Sequence, residues 1–570
     1  MPRPQHPPCL QCRYRKVRCD RRQNTCGSCK RLQFDCSFNI SAARPESKRK
    51  DPQSAPPERR RASQACLACR RLKARCSGEL PECDNCRRRQ KRCCYAASDL
   101  PGNDSPASAD SFESLSGPLF PIRRQEMLDA IDRFFRHLYP IPSFAFLHEP
   151  SIRQYCLSGT LDQSLALALA AVTSTCLSLG QGKAQGCKSW IRRAEAEIWE
   201  HLHQPSIRRV QCLLLVVHYH IQTGEFARAY MLAGLAARSA TALRLNYERP
   251  ELGPVAQETR RRVLWALTSM DGQFSVGLPE YETMPYAIVY QQLPRSEDEF
   301  SAHPESMNHP NLLAACFQVS KIQRDVMRLT RQLAISDKPL LELPGLVQEI
   351  QNDLWRLHAD LELTADFSIS ATTQPLKMKD SRWFARYLLA SLSWHQVHCD
   401  LYRIFLPGYA EAVPTAIMDA TDVNFRRNAA EVCRIHIQLI FKILCGVLSH
   451  VDVPLLPSFV AVCTYQAARL ALFLPSLPCA KVCVTIESAI NNANTALGVL
   501  HKFFSSAPWT SDIIADIERL VRSGSVATPG AAGGLGGLST LSDSGRHRHS
   551  QLAVHSLIRQ ANFVDDGYDG

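Results

Sequence analysis

The chain has 570 residues, 45% of them hydrophobic, which is enough for several domains and a sizeable core. Its formal net charge is +13, but residues 1–95 hold 25 Lys and Arg against 8 Asp and Glu, whereas the remainder holds 42 against 46. A basic region confined to one sixth of the chain predicts contact with phosphates in that part. No run of 18 apolar residues occurs, so no membrane-spanning segment is predicted. The start, Met-Pro-Arg-Pro-Gln-His, lacks the apolar segment of a secretory signal, which argues against an oxidising compartment.

Two windows of 28 residues share one cysteine spacing, with gaps of 2, 6, 6, 2 and 6 residues. The windows contain Cys9, Cys12, Cys19, Cys26, Cys29 and Cys36, and then Cys66, Cys69, Cys76, Cys83, Cys86 and Cys93. Paired Cys-x2-Cys spacing is a strong signal for zinc. Six thiolates satisfy two tetrahedral zinc ions when two thiolates bridge, whereas one zinc leaves two thiols of each set unused. The spacing therefore predicts four Zn²⁺, two in each window.

Cationic side chains follow the second cysteine of each window. They are Arg13, Arg15, Lys16 and Arg18 in the first window, and Arg70, Arg71, Lys73 and Arg75 in the second. A cluster of two Zn²⁺ and six thiolates has a net charge of −2, so nearby cations help to keep its thiols deprotonated. Disulfides, an iron–sulfur site and zinc without nucleic acid remain as alternatives, but the last leaves these cations without a role.

The segments Cys9–Cys19 and Cys66–Cys76 resemble the zinc binuclear cluster (Zn2Cys6) module of fungal transcription factors. The resemblance implies that the first and fourth cysteines of each window bridge the two metal ions. These bridging pairs are Cys9 with Cys26 and Cys66 with Cys83.

The resemblance also implies DNA contacts. Lys16 and Lys73 are expected to recognise a CGG-type triplet in the major groove, while the neighbouring arginines contact phosphate. The family usually has a proline two residues before the fourth cysteine, and the second window has Pro81 there. The first window has Asn24, which predicts a less rigid first loop and makes the second module the better candidate for DNA recognition.

Two segments are expected to be linkers. Residues 37–65 are rich in Pro, Ser and charge, and contain the triplets Lys48-Arg49-Lys50 and Arg59-Arg60-Arg61, which suit a nuclear import signal or a solvated linker. A flexible coil of this length spans about 30 Å, close to the roughly 34 Å of one duplex turn, so one chain is able to engage neighbouring triplets with both modules. Residues 96–120 form the second linker and show no heptad pattern, so the coiled-coil homodimer common among relatives lacks its sequence signal.

From residue 121 the apolar residues recur with a period near 3.6, and strand-like alternation is scarce. Candidate helices cover about 127–138, 161–179, 187–203, 206–222, 225–245, 257–275, 310–334, 343–361, 380–406, 424–448, 454–473, 480–504 and 509–522. The predicted fold is thus two zinc-stapled modules, at 9–36 and 66–95, followed by a large all-α domain at 121–522. The Gly-, Ser- and Ala-rich residues 523–570 are predicted to be a disordered tail.

Several segments of this helical region resemble the fungal-specific regulatory domain, or middle homology region. They are Phe134-Phe135, Tyr139-Pro140-Ile141-Pro142, Phe146-Leu147-His148 and Glu258 to Trp265, followed by Asp271. The resemblance implies a domain that regulates activity or responds to metabolites or partners. Because Glu258 and Arg262 are four residues apart on a helix, they predict an ion pair beside a buried Trp265.

Motifs of the common enzyme classes are missing from the sequence, including Gly-x-Ser-x-Gly, a phosphate loop, His-Glu-x-x-His and a dinucleotide fingerprint. His218 and His220 are expected to be ordinary helix residues, and the 11 cysteines beyond Cys94 to be core residues. We therefore predict a non-enzymatic, nuclear regulator of transcription by RNA polymerase II that binds double-stranded DNA, with metabolic or secondary-metabolite genes as candidate targets. Transcription machinery or co-regulators are expected partners, and a membrane is not. The alternative is a zinc-dependent protein- or RNA-binding scaffold.

Overall fold

The structure, a computed structural model, divides the chain into two compact units, Met1–Phe112 and Glu113–Gly570. In the first unit it describes residues 9, 12, 19, 20, 22, 24–31, 33, 36, 37, 69, 74, 76 and 83–89. In the second unit it describes residues 122–177, 184–300, 311–336, 342–365, 368–477, 484–523, 555–561 and 563. The predicted linkers at 37–65 and 96–120 therefore lie, apart from residue 37, outside the described residues.

Helices make up the regular structure of both units, and the described residues contain no strand. The first unit has α1 (Gly27–Arg31) and α2 (Asp84–Arg88). The second unit has α3 (Arg124–Arg133), α4 (Glu149–Leu157), α5 (Gln163–Leu177), α6 (Ala184–Glu200), α7 (Ile207–Thr223), α8 (Phe226–Ala242), α9 (Pro254–Ser275), α10 (Leu312–Ile335), α11 (Leu343–Ala365), α12 (Gln374–Lys377), α13 (Phe384–Arg403), α14 (Thr415–Ala420), α15 (Val423–His450), α16 (Ser458–Phe473), α17 (Ile486–Phe504), α18 (Ser511–Ser523) and α19 (Leu557–Ala561). Every predicted helix is found, and the all-α prediction is confirmed.

Side-chain caps explain where several of these helices begin. In five of them a Ser, Thr, Asp or Asn just before the first turn accepts a backbone N–H of that turn. These caps are Asp162, Ser206, Asn311, Asp422 and Thr485. At its other end α7 stops at Gly224, where φ is +80° and an added Cβ would lie 3.2 Å from Cβ of Pro508.

The N-terminal half of the helical unit is built around α5. Its sequence is apolar on nearly every side, and eleven of its fifteen residues are buried, as expected for a helix in the middle of a core. It packs against α3, α6 and α7, and α7 packs in turn against α8.

The entry to this half contains a π-helical turn. The predicted helical stripe that includes Phe134 and Phe135 continues α3 as Phe134–Leu138 before the chain turns into the short 3-10 helix Pro142–Phe144. Because the wider turn inserts an extra residue, both phenylalanines point inward and are at most 1% exposed.

The C-terminal half is built around α13, seventeen of whose twenty residues are buried. It packs against α10, α15 and α16, and α16 packs against α17. Two helical segments here, Val423–His450 and Ser458–Ser476, are long and apolar enough to cross a membrane by length and composition alone. Both pack against α13 within the helical unit, and core helices of globular domains commonly meet the same criterion.

Most cysteines beyond the two windows are core residues, as predicted. Among the nine that the structure describes, only Cys445 is exposed. Cys479 and Cys483 lie outside the described residues.

The predicted tail at 523–570 needs a correction. Residues 555–561 belong to the helical unit: His555, Ser556 and Leu557 are buried, and α19 packs against α8 and α9. A five-residue helix spans little more than one turn, so it gives no recognisable apolar period in the sequence. Residues 524–554 lie outside the described residues.

Candidate metal centres and nucleic-acid interface

Four cysteines of the first window bring their sulfur atoms within 4.8 Å of one another. The Sγ–Sγ distances are 3.5 Å for Cys12 and Cys26, 3.6 Å for Cys9 and Cys26, and 3.7 Å for Cys9 and Cys29. Two sulfurs bound to one tetrahedral zinc at about 2.3 Å lie about 3.8 Å apart, whereas disulfide sulfurs lie about 2.05 Å apart. The distances between these sulfurs therefore fit a shared metal ion and do not fit disulfides.

Backbone N–H groups point at sulfur atoms of this cluster. At 3.4 Å each, the N–H of Cys12 donates to Sγ of Cys9, that of Cys29 to Sγ of Cys26, and that of Cys26 to Sγ of Cys36. Burial nevertheless raises the pKa of the Cys9 thiol to about 12, and it raises the pKa of Cys26 further. A divalent metal ion supplies the charge that ionises such buried thiols, so this donor set fits zinc.

The loop between the third and fourth cysteines is tied to α1. Oδ1 of Asp20 accepts the N–H of Gly27 at 2.9 Å, at the start of the helix. A Cβ at Gly27 would lie 2.8 Å from Oδ2 of Asp20, so glycine permits this approach. The helix carries Cys29, whose side chain is fully buried against the other sulfurs.

Asn24 has a backbone conformation that proline cannot adopt. Its φ is +74°, in the left-handed region, whereas the proline ring fixes φ near −65°. The absence of the usual proline from the first window thus has a structural reason, because this loop takes a different path. The sequence predicts lower rigidity for the loop, which remains a prediction.

The second window forms a corresponding cluster. The sulfurs of Cys69, Cys76 and Cys83 lie within 4.8 Å of one another, with 3.7 Å between those of Cys69 and Cys83. Nδ2 of Asn85 donates to Sγ of Cys69 at 3.1 Å, and Cys86 is buried on α2. Cys66 and Cys93 lie outside the described residues.

All eight predicted DNA-contacting residues, four lysines or arginines in each window, also lie outside the described residues. The structure adds basic side chains that the sequence analysis did not select. Exposed Lys30 and Arg31 end α1, and exposed Arg87 and Arg88 end α2. The sequence pattern that could have identified them is a pair of basic residues directly after a cysteine ligand, since Cys29 and Cys86 each precede such a pair.

Family models match the two cysteine windows and part of the helical unit. The model described as "Fungal Zn(2)-Cys(6) binuclear cluster domain" matches residues 7–45 and 64–100. The model described as "Fungal specific transcription factor domain" matches residues 131–366. The chain belongs to the fungal Zn(2)-Cys(6) transcription factors. Each cluster domain of this family binds two zinc ions, and the zinc prediction is confirmed.

Relatives of this transcription factor come from Fusarium oxysporum f. sp. lycopersici. The Zn(2)-C6 fungal-type transcription factor FTF1c is 23% identical over 441 residues, which cover 55% of the chain and 47% of the relative. The Zn(2)-C6 fungal-type transcription factor FTF2 is 22% identical over 318 residues, which cover 38% of the chain and 30% of the relative. The chain thus spans less than half the length of either relative.

In the helical unit, two of the segments that resemble the regulatory domain, 139–142 and 258–265, meet at a buried ionic network. Nε of Arg262 lies 2.8 Å from Oε1 of Glu258, and Trp265 is 5% exposed, so the predicted ion pair and buried indole are confirmed. Nη1 of Arg262 also donates to the hydroxyl of Tyr139 and to Oε1 of Glu297, both at 2.8 Å. The motif thus joins the entry of the domain to α9.

Two members of this network were not identified from the sequence. Nη1 of Arg386 lies 2.6 Å from Oε1 of Glu297, and its Nε donates to the carbonyl of Pro140 at 2.9 Å. Although burial raises the pKa of Glu297, the charges of Arg386 and Arg262 lower it to about 2. Glu297 begins the short 3-10 helix Glu297–Glu299, and Arg386 lies in α13. Both are far from the motif in sequence, and no local pattern marks them as its partners.

Three histidines form a second buried polar group. Nδ1 of His395 lies 3.0 Å from Nδ1 of His436, and the ring of His398 stacks on that of His436 with centroids 4.1 Å apart. Burial lowers the pKa of His395 to about 3, of His398 to about 4 and of His436 to about 2. All three rings are therefore neutral at physiological pH.

The two histidines that were expected to be ordinary helix residues point in different directions. His218 stacks on Phe144 and contacts the carbonyl of Ser143 at 3.2 Å. Nε2 of His220 lies 2.5 Å from Oε1 of Glu195. They do not share a site, as their spacing predicts.

Proposed function

We propose that this factor acts in the nucleus on RNA polymerase II genes and recognises CGG-type triplets through both cysteine modules. The observation that carries the proposal is the pair of buried sulfur clusters with identical spacing, in the only strongly basic part of the chain. Metabolic or secondary-metabolite genes are the proposed targets, and co-regulators or the transcription machinery are the proposed protein partners.

All twelve window cysteines are the proposed zinc ligands, with the first and fourth of each window bridging. In the first window Sγ of Cys9 is within 3.7 Å of the sulfurs of Cys26 and Cys29, and Sγ of Cys26 is within 3.6 Å of those of Cys9 and Cys12. Each tetrahedral zinc brings all four of its sulfurs to about 3.8 Å from one another, so these distances support a shared metal site, and the choice of the bridging pair rests on the family resemblance.

Base recognition is assigned to Lys16 and Lys73, and phosphate contact to the arginines beside them. An ammonium group is able to donate to both O6 and N7 of guanine, which gives discrimination between bases. Exposed basic residues at the ends of α1 and α2 add charge near each cluster and support binding to the DNA backbone. Because two modules on one chain raise each other's effective concentration, tandem binding to neighbouring triplets is proposed.

Selection of the full chain against random duplexes tests this function. Enrichment of CGG-like triplets is expected, and Lys73→Ala should cost about 1–3 kcal/mol and relax the preference within one triplet. Arg71→Ala is the matched control, because loss of a phosphate contact weakens binding to all sequences alike and lowers the salt dependence.

Two outcomes would contradict parts of the proposal. No enrichment of any triplet would favour the zinc-dependent protein- or RNA-binding scaffold. Footprinting on a duplex with two neighbouring triplets tests tandem binding. Protection of one triplet only, with Lys16→Ala giving the same footprint as the unmodified chain, would rule it out.

A further inference from the structure

A short C-terminal segment packs onto the helical unit after a long interval of sequence. This latch segment comprises residues 555–561 and residue 563. Its first three residues, His555, Ser556 and Leu557, are 7%, 0% and 5% exposed. The turn of helix that follows, α19, packs against α8 and α9. The latch segment is therefore seated in the domain and does not merely lie on its surface.

The seat of the latch segment, here called the docking groove, is the surface formed by Tyr230, Tyr465 and Trp509. The carbonyl of Trp509 accepts Nε2 of Gln560 at 2.9 Å. The ring of Phe563 meets Tyr230 edge to face, with centroids 5.7 Å apart, and the ring of His555 lies 5.8 Å from that of Tyr465. Because Tyr230 belongs to the N-terminal half of the helical unit and Tyr465 to the C-terminal half, the latch segment joins the two halves.

The buried end of the seat is polar and incompletely paired. His555 lies among charged side chains of the C-terminal half, since Glu411, Arg403 and Arg469 all act on its pKa. Among the described residues, Nδ1 of His555 and Nε1 of Trp509 have no hydrogen-bond partner, as is also true of buried atoms elsewhere in the helical unit such as Nδ1 of His220. This end of the seat is therefore less completely paired than most buried polar groups, a feature that it shares with other buried sites of the helical unit.

The latch segment is also small in comparison with the helices around it. Only three of its described side chains are fully buried, whereas α7 buries twelve. Contacts of this size open at low cost relative to the global unfolding of a domain. It is separated from the end of α18 at Ser523 by 31 residues that the sequence predicts to be a tether, and a flexible tether of this kind holds its end at an effective concentration on the order of 1 mM.

We propose that the docking groove is a recognition site for a short helix, and that the chain's own latch segment occupies it as a releasable ligand. Release uncovers Tyr230 and Trp509 for a partner helix that carries apolar side chains at the spacing of Leu557, Ile558 and Phe563. The aromatic and acidic residues Asp565, Asp566 and Tyr568 follow the latch segment in the sequence. The inference does not depend on which DNA sequence the factor binds.

Binding of a labelled peptide to the full chain tests the docking groove. The probe is a fluorescent peptide of residues 551–570, titrated with the unmodified chain, with Leu557→Asp and with Arg559→Ala. Leu557→Asp should bind the peptide at least tenfold more tightly than the unmodified chain, because its own latch segment no longer competes. Arg559→Ala removes the exposed charge of the same turn and leaves Leu557 in place, so its gain in peptide binding should be much smaller than that of Leu557→Asp.

A groove variant and a thermal control complete this test. Tyr230→Ala combined with Leu557→Asp should lose the gained affinity, while the thermal transition of Leu557→Asp shows that the domain still folds. Equal peptide binding by Leu557→Asp and the unmodified chain would overturn the proposal.

A cleavable tether tests release without altering the groove. A protease site inserted after residue 540 converts the docked segment into a separate fragment once the folded chain has been cut. The fragment should co-elute with the chain at high concentration and dissociate on dilution. A fragment that stays bound at every dilution would make residues 555–563 a permanent part of the core, and one that never stays bound would mean there is no docking. Either result would overturn the proposal.

Discussion

Different interactions stabilise the folds of the two units of this factor. In the first unit, every buried side chain among the described residues is a cysteine. In the second unit the core consists mainly of apolar side chains from the long helices, with buried ion pairs such as that of Arg262 and Glu258 set among them. A segment with no apolar core depends on its metal, whereas a large helical domain depends on packing. The factor therefore joins cysteine modules whose fold depends on zinc to a helical domain whose fold does not depend on zinc.

Removal of metal is expected to have the largest effect and to separate the two units most clearly. A strong zinc chelator under reducing conditions should abolish DNA binding, because buried thiols such as that of Cys26 reprotonate when the metal leaves. The helical circular dichroism signal and the main thermal transition should change little. Measurement of both on one sample, with zinc added back, checks the expectation. A lower transition temperature for the helical domain on chelation would contradict the expectation that its fold does not depend on zinc.

The second prediction concerns one of the buried ionic networks of the helical unit. Glu297→Gln leaves the guanidinium groups of Arg262 and Arg386 without their shared carboxylate, which should cost about 3–5 kcal/mol of unfolding free energy. The matched control Glu349→Gln alters an exposed carboxylate on α11 and should stay within about 0.5 kcal/mol. Denaturant titration measures both values.

Acid should weaken the same network in the unmodified chain. The pKa of Glu297 is lowered to about 2 in the fold, so its stabilisation is present above the ordinary pKa of 4.5 and is lost as pH falls from 4.5 towards 2. A similar acid profile for Glu297→Gln would exclude the proposed role of this carboxylate.

The buried histidines predict a loss of stability in a higher pH window. Each has an ordinary pKa of 6.5 and a lowered pKa in the fold, so the unfolded chain takes up protons first as pH falls below 6.5. Each ring should cost about 2 kcal/mol between pH 7 and pH 5. His436→Gln should flatten the dependence of unfolding free energy on pH by that amount, whereas His450→Gln, at the exposed end of the same helix, should not. Equal curves for the two variants would contradict the assignment.

The two units also differ in what their sequences predict. Metal ligation is local, so a spacing of six cysteines is enough to indicate a cluster, and Cys9, Cys12, Cys26 and Cys29 do converge. Helices follow from the apolar period, and the pair of Glu258 and Arg262 follows because its partners are one helical turn apart.

Contacts between residues that are far apart in the chain could not be predicted from the sequence. Glu297 pairs with Arg262 only because a loop folds back over α9, and Arg386 reaches the same carboxylate from α13. Docking of the latch segment was not predicted for a related reason, because its seat includes Tyr230 and Tyr465 from opposite halves of the domain. Local sequence patterns predict the individual helices, whereas tertiary packing determines which of them contact one another.

The last effect distinguishes the two cysteine modules from each other. Asn24 has φ of +74°, so Asn24→Pro, although it restores the usual family residue, should destabilise the first module by about 1–3 kcal/mol. Asn24→Gly is the matched control and should be nearly neutral, because glycine adopts positive φ without strain. Competition for zinc with a metallochromic chelator measures the difference, since folding of such a module and its metal binding are one equilibrium. If Asn24→Pro holds zinc as tightly as the unmodified chain, the first loop takes the ordinary path of the family, and the two modules are equivalent in this respect.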